Sequence, residues 1–363
     1  MGHAGWKRSV GILFFFLLVI LGRPAAADDG PGNRKDDLTI LPFVYYTPET
    51  GTAFVLTGIY TWREPTERSR PSSILGFVTF TTENQKMISF FPEIFTASGT
   101  KIVLKASAMD FPDKFFGIGS DTDEEDEEDY SRGGYHLDVS LQFEILPNLF
   151  AGPRFDWEDL SVEDVEPEGL LDSGLIAGSN GGLTSGAGLL ITYDSRDDIF
   201  MPSKGLYAEV TAMSYGQAAG GDFEYDNVII DLRQFITPGP WTLALNQYLH
   251  LSSGKPPFDR LAQLGGAQLM RGYFQGRFRD ENMAVVQAET RIPLSSRFGL
   301  VLFGSAGSVA ASPRDLGEKD PLTALGAGLR YRLSRVEAIN FRVDLAWGED
   351  GSRGVYFTIR EAF

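Results

Sequence analysis

The sequence predicts an all-β fold, a transmembrane antiparallel β-barrel of about sixteen strands that follows a cleaved signal peptide. Three observations predict it. Polar and apolar residues alternate with a period of two in many segments of about ten residues. After residue 27 no stretch holds about 18 uninterrupted apolar residues, so no membrane-spanning helix is expected there. The composition, with 41 Gly, 27 Phe, 13 Tyr and no Cys, is typical of porin-like barrels of the bacterial outer membrane.

The first 27 residues have the features of a secretory signal peptide. Lys7 and Arg8 precede an apolar run at 10–21, and small residues at 25–27 form a cleavage pattern. The run is shorter than the roughly 20 residues that cross a bilayer, which disfavours the alternative of a retained membrane helix. The predicted organisation is a signal peptide at 1–27, a short periplasmic segment at 28–37 and one barrel domain at 38–363.

Turn signals divide the barrel domain into sixteen strands, an even number as expected for a single-chain bacterial barrel. The predicted strands are 38–46, 51–62, 72–82, 86–96, 100–109, 132–145, 148–157, 183–194, 205–216, 222–236, 241–252, 282–293, 297–309, 322–333, 338–348 and 353–363. With the N-terminus in the periplasm, the long outer connections are 110–131, 158–182, 253–281 and 310–321. Inner connections are expected to be short, apart from 63–71 and 195–204.

Charged residues of the late strands are expected to face the lumen. Arg330 and Arg332 alternate with Leu329 and Tyr331, and an arginine facing lipid at the midplane would cost roughly 2 to 4 kcal/mol. The last strand is predicted to run to Phe363. A terminal aromatic on the closing strand is similar to the signal that outer-membrane barrels present for their own insertion.

Acidic residues give the chain a formal net charge of −17, which argues against nucleic acid as a partner. Much of the excess lies in residues 121–129, interpreted as a solvated outer loop held open by charge repulsion. The alternative is divalent-cation binding that bridges to lipopolysaccharide, with Asp121, Asp123, Glu124 and Glu125 as the candidate ligands. No other metal site and no cofactor is predicted.

Catalytic constellations are poorly represented in the sequence. Apart from His3 in the signal peptide, the histidines are His136 and His250, both on predicted wall strands. No serine stands in a Gly-x-Ser-x-Gly turn between a strand and a helix. The carboxylates at 194–198 lie near Lys204, so ion pairing is the simpler explanation for them. The chain is therefore not expected to be an enzyme.

The most distinctive motif is Arg271-Gly272-Tyr273, which ends a Gly-rich stretch beginning at Leu264. It falls between the eleventh and twelfth predicted strands, in the sixth outer loop. In a loop folded into a lumen, glycine permits close backbone approach, and a guanidinium can bind a carboxylate through two charge-assisted hydrogen bonds. The motif predicts a latch inside the barrel. Two interpretations follow: the latch secures a plug, or it belongs to a moving part.

Three segments carry a family resemblance: residues 264–273, residues 193–198 with 200–205, and residues 289–294 with 303–307. With them the chain resembles the BamA/TamA-type outer-membrane assembly superfamily, also called bacterial surface antigen proteins. The resemblance implies that Arg271 folds back into the barrel and pairs with Glu289, with Ser305 and Gly307 as further inner-wall positions. Ser305 stands where the family usually has Asp, so half of the carboxylate clamp is expected to be missing.

The resemblance also implies a function, namely helping to insert or translocate other proteins at the outer membrane through a weakly paired seam that opens sideways. Superfamily members carry periplasmic POTRA domains, whereas here about ten residues separate the expected cleavage site from the first strand. The implied partners are outer-membrane lipid and lipopolysaccharide, client outer-membrane proteins and a separate periplasmic partner. The alternative function is a passive pore or structural surface protein with the sixth outer loop as a plug.

Overall fold

The computed structural model describes residues 37–62, 72–318, 320–332 and 340–363. Sixteen antiparallel strands close into one barrel, as the sequence predicted, and a two-stranded sheet lies apart from the wall. No helix within these ranges is long and apolar enough to cross a membrane. The expected signal peptide at 1–27 and the expected inner connection at 63–71 lie outside the described residues, as does nearly all of the segment 28–37.

The described residues form eighteen strands, of which sixteen follow one another around the wall in chain order. They are β1 Asp37–Thr47, β2 Gly51–Trp62, β3 Ser72–Thr81, β4 Lys86–Phe95, β5 Thr100–Phe115, β6 Glu128–Leu146, β7 Leu149–Glu163, β8 Gly182–Asp194, β9 Gly205–Tyr215, β10 Tyr225–Ile236, β11 Thr242–Gly254, β12 Ala262–Leu264, β13 Phe278–Asp280, β14 Asn282–Pro293, β15 Phe298–Ala310, β16 Leu322–Arg332, β17 Asn340–Trp347 and β18 Arg353–Ile359. The short β12 and β13 pair with each other and not with the wall, so β11 and β14 are neighbours in the wall.

Alternating polarity sets which side of each strand meets the lumen. On β11, Asn246 and His250 are buried inside the barrel. On β14, Val286 points outward and is 55% exposed, while Glu289 points inward and is fully buried. Arg330 of β16 is also buried in the lumen, so the side predicted for it from the alternation is correct.

The hairpin of β5 and β6 is taller than predicted. Strand pairing continues to Phe115 and Glu128, so the connection predicted at 110–131 spans only 116–127, called loop 3 below. The added length is stabilised from inside the barrel, where the ring of Phe115 packs edge-on against Phe258 with 5.5 Å between centroids. Local polarity does not reveal this contact, because the two rings lie far apart along the chain.

The last strand is shorter than predicted. β18 ends at Ile359, since Arg360 adopts a left-handed backbone conformation with a φ of 73° and directs the chain into the barrel. Residues 360–363, called the inward segment below, leave the wall, and Phe363 packs against Phe235 and Ala244. The prediction of a terminal aromatic on the closing strand is therefore wrong, because Phe363 is buried in the lumen.

The barrel closes at a thinly paired seam between β1 and β18. Within the described residues this ladder has one paired position, Tyr46 opposite Phe357. On its other side β1 pairs with β2 along all 11 of its residues. Most of one edge of β1 therefore has no strand beside it in register.

Candidate functional site

The connection between β11 and β14, residues 255–281 and called loop 6 below, folds into the barrel. Leu264, Met270 and Tyr273 form an apolar core with Val285 of β14 and Val309 of β15. Burying an aliphatic side chain of this size contributes about 1.5 to 3 kcal/mol, so the core holds the loop against the wall. The Arg-Gly-Tyr motif lies between the eleventh and twelfth wall strands, as its sequence position predicted.

Arg271 is clamped between two carboxylates from different strands. Its Nη2 lies 2.5 Å from Glu289 Oε1 on β14, and its Nη1 lies 2.5 Å from Asp344 Oδ2 on β17. The guanidinium also stands 3.5 Å from the ring centroid of Phe303 on β15. Arg271 is 1% exposed, and both carboxylates are fully buried. Charge pairing and a cation–π contact together compensate for burying the guanidinium.

The expected gap in the carboxylate clamp does not exist. The resemblance implied that the second carboxylate is lost because Ser305 replaces it, but Asp344 supplies one from β17. Within the described chain, Ser305 makes no hydrogen bond to Arg271. Asp344 was missed because no local motif marks it, although it shares a face of β17 with Arg342 and Ala346, which already indicates a position facing the lumen.

Gly307 provides room for loop 6 at the wall. A Cβ atom there would lie 2.9 Å from Cγ2 of Val285 and 3.4 Å from Cδ1 of Leu264 in the loop. A Cβ would therefore be crowded by Val285 and in contact with Leu264, so a branched side chain has no room there unless loop 6 moves. The inner-wall position that the resemblance assigned to Gly307 thus has a steric explanation.

Gly272 and Tyr273 extend the contacts of the motif to the strands beside the seam. Gly272 has a φ of 118°, which an L side chain rarely adopts, and its N–H donates to Tyr356 Oη at 3.0 Å. The Tyr273 hydroxyl donates to the carbonyl oxygen of Thr323 at 2.8 Å and accepts from the N–H of Glu349 at 2.9 Å. The motif therefore binds β14, β16, the end of β17 and β18 at once.

Both carboxylates of the clamp serve a second arginine. Glu289 also pairs with Arg291 at 2.9 Å, and Asp344 also pairs with Arg330 at 2.5 Å. Arg342 adds a longer contact to Asp344 at 3.4 Å. The result is a connected buried network in which every carboxylate has two or more cationic neighbours, as burial of charge requires.

Arg260 anchors loop 6 to the opposite wall. Its Nη2 lies 3.1 Å from Asp156 Oδ1 and 2.6 Å from Glu158 Oε2, both on β7. Asp156 also hydrogen-bonds His136 at 2.8 Å. Beside this anchor, burial together with the negative charge of Glu158 raises the pKa of the Asp259 carboxyl to about 6. Loop 6 therefore crosses the lumen between two arginine anchors.

Loop 3 is docked on loop 6. The N–H of Gly119 donates to the carbonyl oxygen of Arg279 at 2.8 Å. Arg277 donates to the hydroxyl of Thr122 at 2.8 Å and to its carbonyl oxygen at 2.7 Å. Burial lowers the pKa of Arg277, although the acidic residues of loop 3 oppose that change. The acidic run predicted to be held open is thus partly fixed across the outer end of the barrel.

The candidate cation ligands do not form a cluster. Residues Glu124–Asp126 form a single 3₁₀ turn, and the carboxylate of Asp126 accepts a hydrogen bond from the N–H of Asp123 at 3.3 Å. Across the described ranges no three His, Cys, Asp or Glu side chains converge in a way that could hold a metal ion. Asp121, Asp123, Glu124 and Glu125 therefore stand as solvent-facing charges in this structure.

The carboxylates of the inner turn between β8 and β9 build the turn itself. Asp198 accepts hydrogen bonds from two backbone N–H groups, those of Phe200 at 2.7 Å and Met201 at 2.8 Å. Asp197 accepts from the N–H of Ser203 at 2.9 Å and of Lys204 at 3.1 Å. Their hydrogen bonds explain these residues without any catalytic role.

Comparison with known proteins agrees with this architecture. The Omp85 superfamily domain matches residues 72–363. BamA from Haemophilus ducreyi lacking POTRA domains 1–3 is similar, with a TM-score of 0.60 and 15% identity over 90% of this chain and 70% of that one. CdiB from Acinetobacter baumannii also has a TM-score of 0.60, with 13% identity over 90% of this chain and 60% of that one. No curated protein matches the sequence. The chain therefore belongs to the Omp85 superfamily and is a β-barrel of the bacterial outer membrane.

Proposed function

We propose that this barrel helps to insert or translocate proteins at the outer membrane by opening the seam between β1 and β18. The observation that carries the proposal is the single paired position at that seam, Tyr46 with Phe357. An open edge of β1 would offer its backbone N–H and C=O groups to an incoming strand, which is how extended chains add to a sheet.

The energetic contrast between the seam and the rest of the wall supports this mechanism. Within the described residues only one paired position must separate at the seam, so few backbone groups lose their partners when it opens. Separating β1 from β2 would break a ladder 11 residues long. An unpaired edge in hydrocarbon is unfavourable by several kcal/mol per group, which favours its occupation by a client strand.

A reversible disulfide across the seam tests the proposal. The chain has no cysteine, so Tyr46→Cys with Phe357→Cys creates one pair, and opposed residues of antiparallel strands lie within disulfide range. We expect oxidised cells to lose other outer-membrane proteins and reductant to restore them.

Val44→Cys with Phe54→Cys is the matched control, because it joins β1 to β2 through an opposed pair that also faces lipid. This control is expected to leave client levels unchanged in both redox states. Unchanged client levels when the disulfide closes the seam itself would contradict the proposal.

A passive pore, or a structural surface protein with loop 6 as its plug, is the second candidate, and the anchored plug favours the structural protein. Loop 6 is anchored at Arg271 and at Arg260, on opposite walls. Bilayer recordings discriminate the candidates: a steady open pore, together with no effect of the seam lock on clients, supports the passive function. We propose lipid and lipopolysaccharide around the outer face and a separate periplasmic partner as further contacts, which co-purification would identify.

A further inference from the structure

We infer that Arg291 and Arg330 are positioning residues that connect the latch at Arg271 to the inward segment, so that loop 6 controls how far β18 extends along the seam. The inference deepens the function proposed above and rests on it for its biological meaning. Its structural basis is that each carboxylate of the clamp joins Arg271 to an arginine that holds residues 360–363.

The first connection runs through Glu289. One carboxylate oxygen, Oε1, binds Arg271, and the other, Oε2, binds Arg291. Nη2 of Arg291 donates to the backbone oxygen of Phe363 at 3.0 Å, and its guanidinium stands 5.7 Å from the Phe363 ring centroid. Three contacts, through Glu289 and Arg291, therefore connect loop 6 to the end of the inward segment.

The second connection runs through Asp344. Its Oδ2 binds Arg271, and its Oδ1 binds Arg330 at 2.5 Å. Nε of Arg330 lies 2.7 Å from Glu361 Oε2 in the inward segment. Although burial opposes ionisation, the charges of Arg330 and Arg291 hold the pKa of Glu361 below its ordinary value. Both routes lie in the buried lumen, where charge interactions are screened least.

Removing Arg271 would change both routes together. Each carboxylate would lose one cation while remaining buried, so the remaining arginine would be drawn toward it. For Arg291 that movement competes with its bond to Phe363, and for Arg330 it competes with its bond to Glu361. The inward segment would then lose the contacts that keep it off the wall.

A released inward segment has a partner available. Continuing the register of Tyr46 and Phe357, one residue back on β1 for each residue forward on β18, sets 360–363 opposite 43–40. The edge of β1 in that range has no strand beside it in the structure. Through these two routes the latch acts on the length of the seam ladder, in addition to its contact with Tyr356 of β18.

Cysteine labelling of the inward segment tests the coupling in the full-length barrel. Ala362→Cys places a thiol at a buried position of a chain that has no other cysteine. The measurement is its rate of alkylation by a polar maleimide in lipid vesicles. We expect slow labelling in this background and a rise of about fivefold or more when Arg271→Gln, Arg291→Gln or Arg330→Gln is added.

Arg154→Gln is the matched control, because Arg154 is an inner-wall arginine that pairs with Asp138 and Thr211, and its loss leaves Glu289 and Asp344 untouched. It is expected to change labelling by less than about twofold. Heat-modifiable migration identifies folded barrels. If Arg271→Gln does not fold, Arg271→Lys replaces it, because a lysine cannot bridge both carboxylates in the same way.

Equal labelling with and without Arg271 would overturn the inference, as would an equal rise in Arg154→Gln. Labelling requires no client protein, so its failure leaves the proposed insertion function standing. The seam disulfide could also leave client levels unchanged while labelling responds to Arg271. That result would support the coupling and contradict the insertion function.

Discussion

Arg271 shows why an arginine suits this position better than a lysine. Its two terminal nitrogens reach carboxylates on two different strands while its flat face lies over Phe303. An ammonium group is a point charge that cannot present a planar fork or stack in this way. A single residue thus holds β14, β17 and loop 6 together.

Asp259 is expected to make the stability of the fold depend on pH. Its pKa in the folded barrel is about 6, above the ordinary value of 3.8, so the unfolded chain loses the proton more readily. The resulting destabilisation is absent well below pH 3.8 and is complete above about pH 6. Asp259→Asn should therefore raise the free energy of unfolding at pH 7.5 by about 1 to 3 kcal/mol, and by much less at pH 4.

Urea unfolding in lipid vesicles at the two pH values measures this difference. The control is Asp226→Asn, because Asp226 is an exposed residue of β10. A gain for Asp259→Asn that is the same at pH 4 and pH 7.5 would show that the carboxylate does not titrate as inferred.

Single residues also show how far the sequence predicts this site. Glu289 was predicted as a partner by the family resemblance, strand alternation places it on the lumen face, and its contact with Arg271 is present. Asp344 and Arg260 were not predicted as partners, since each depends on how distant strands meet across the lumen. Alternation shows which side a residue faces, but it does not show which residue lies opposite inside the barrel.

At the level of elements, loop 6 depends on the space that Gly307 leaves on the inner face of β15. Gly307→Val should displace the loop, because a Cβ at this position meets Val285 and Leu264. Gly304→Val on the same strand is the matched control, because its Cβ would meet only the Ala324 carbonyl oxygen, at 3.8 Å. We expect added trypsin to cleave Gly307→Val barrels in loop 6 about tenfold faster, which mass spectrometry of the fragments would measure. Equal cleavage of the two variants would contradict the steric role of Gly307.

Many of the predicted strand boundaries are accurate, including those of β14, which follows the long loop 6. β2, β3 and β4 agree within a residue with the predictions, since turn residues mark their ends. The β5–β6 hairpin and β18 differ because tertiary contacts decide where they stop. Phe258 supports the top of β5, and Arg291 and Arg330 hold the chain away from the wall after Ile359.

The whole molecule is closed from the outside by its own loops. Loop 6 fills the lumen, loop 3 lies on loop 6, and Glu128 accepts backbone hydrogen bonds from Leu170 and Leu171 of the next outer loop. The outer end therefore carries much of the acidic excess of the chain. A polypeptide approaching from the seam would not have to pass this closed end.

Releasing one anchor should open the barrel to ions. Arg260→Gln removes the contacts with Asp156 and Glu158, so the loop would lose its charged anchor on β7. We expect single-channel recordings to show frequent openings in this variant and rare ones in the parent. Arg353→Gln, at an exposed position of β18, is the control and should behave as the parent does. A parent that conducts as strongly as Arg260→Gln would show that loop 6 does not obstruct the lumen.

The short length of strand β18 also affects the thickness of the bilayer beside it. Its 7 residues, at about 3.3 Å each and a tilt near 45°, cover roughly 16 Å of the membrane normal. The 12 residues of β10 cover roughly 28 Å, enough for an apolar band about 25 Å tall. Hydrophobic mismatch of this kind is relieved when the lipid thins beside the shorter element. A lipid belt of uniform thickness around the barrel in nanodiscs would exclude this effect. Thinned lipid beside β18 would lower the membrane's own barrier to an entering strand at the place where the wall is most easily opened.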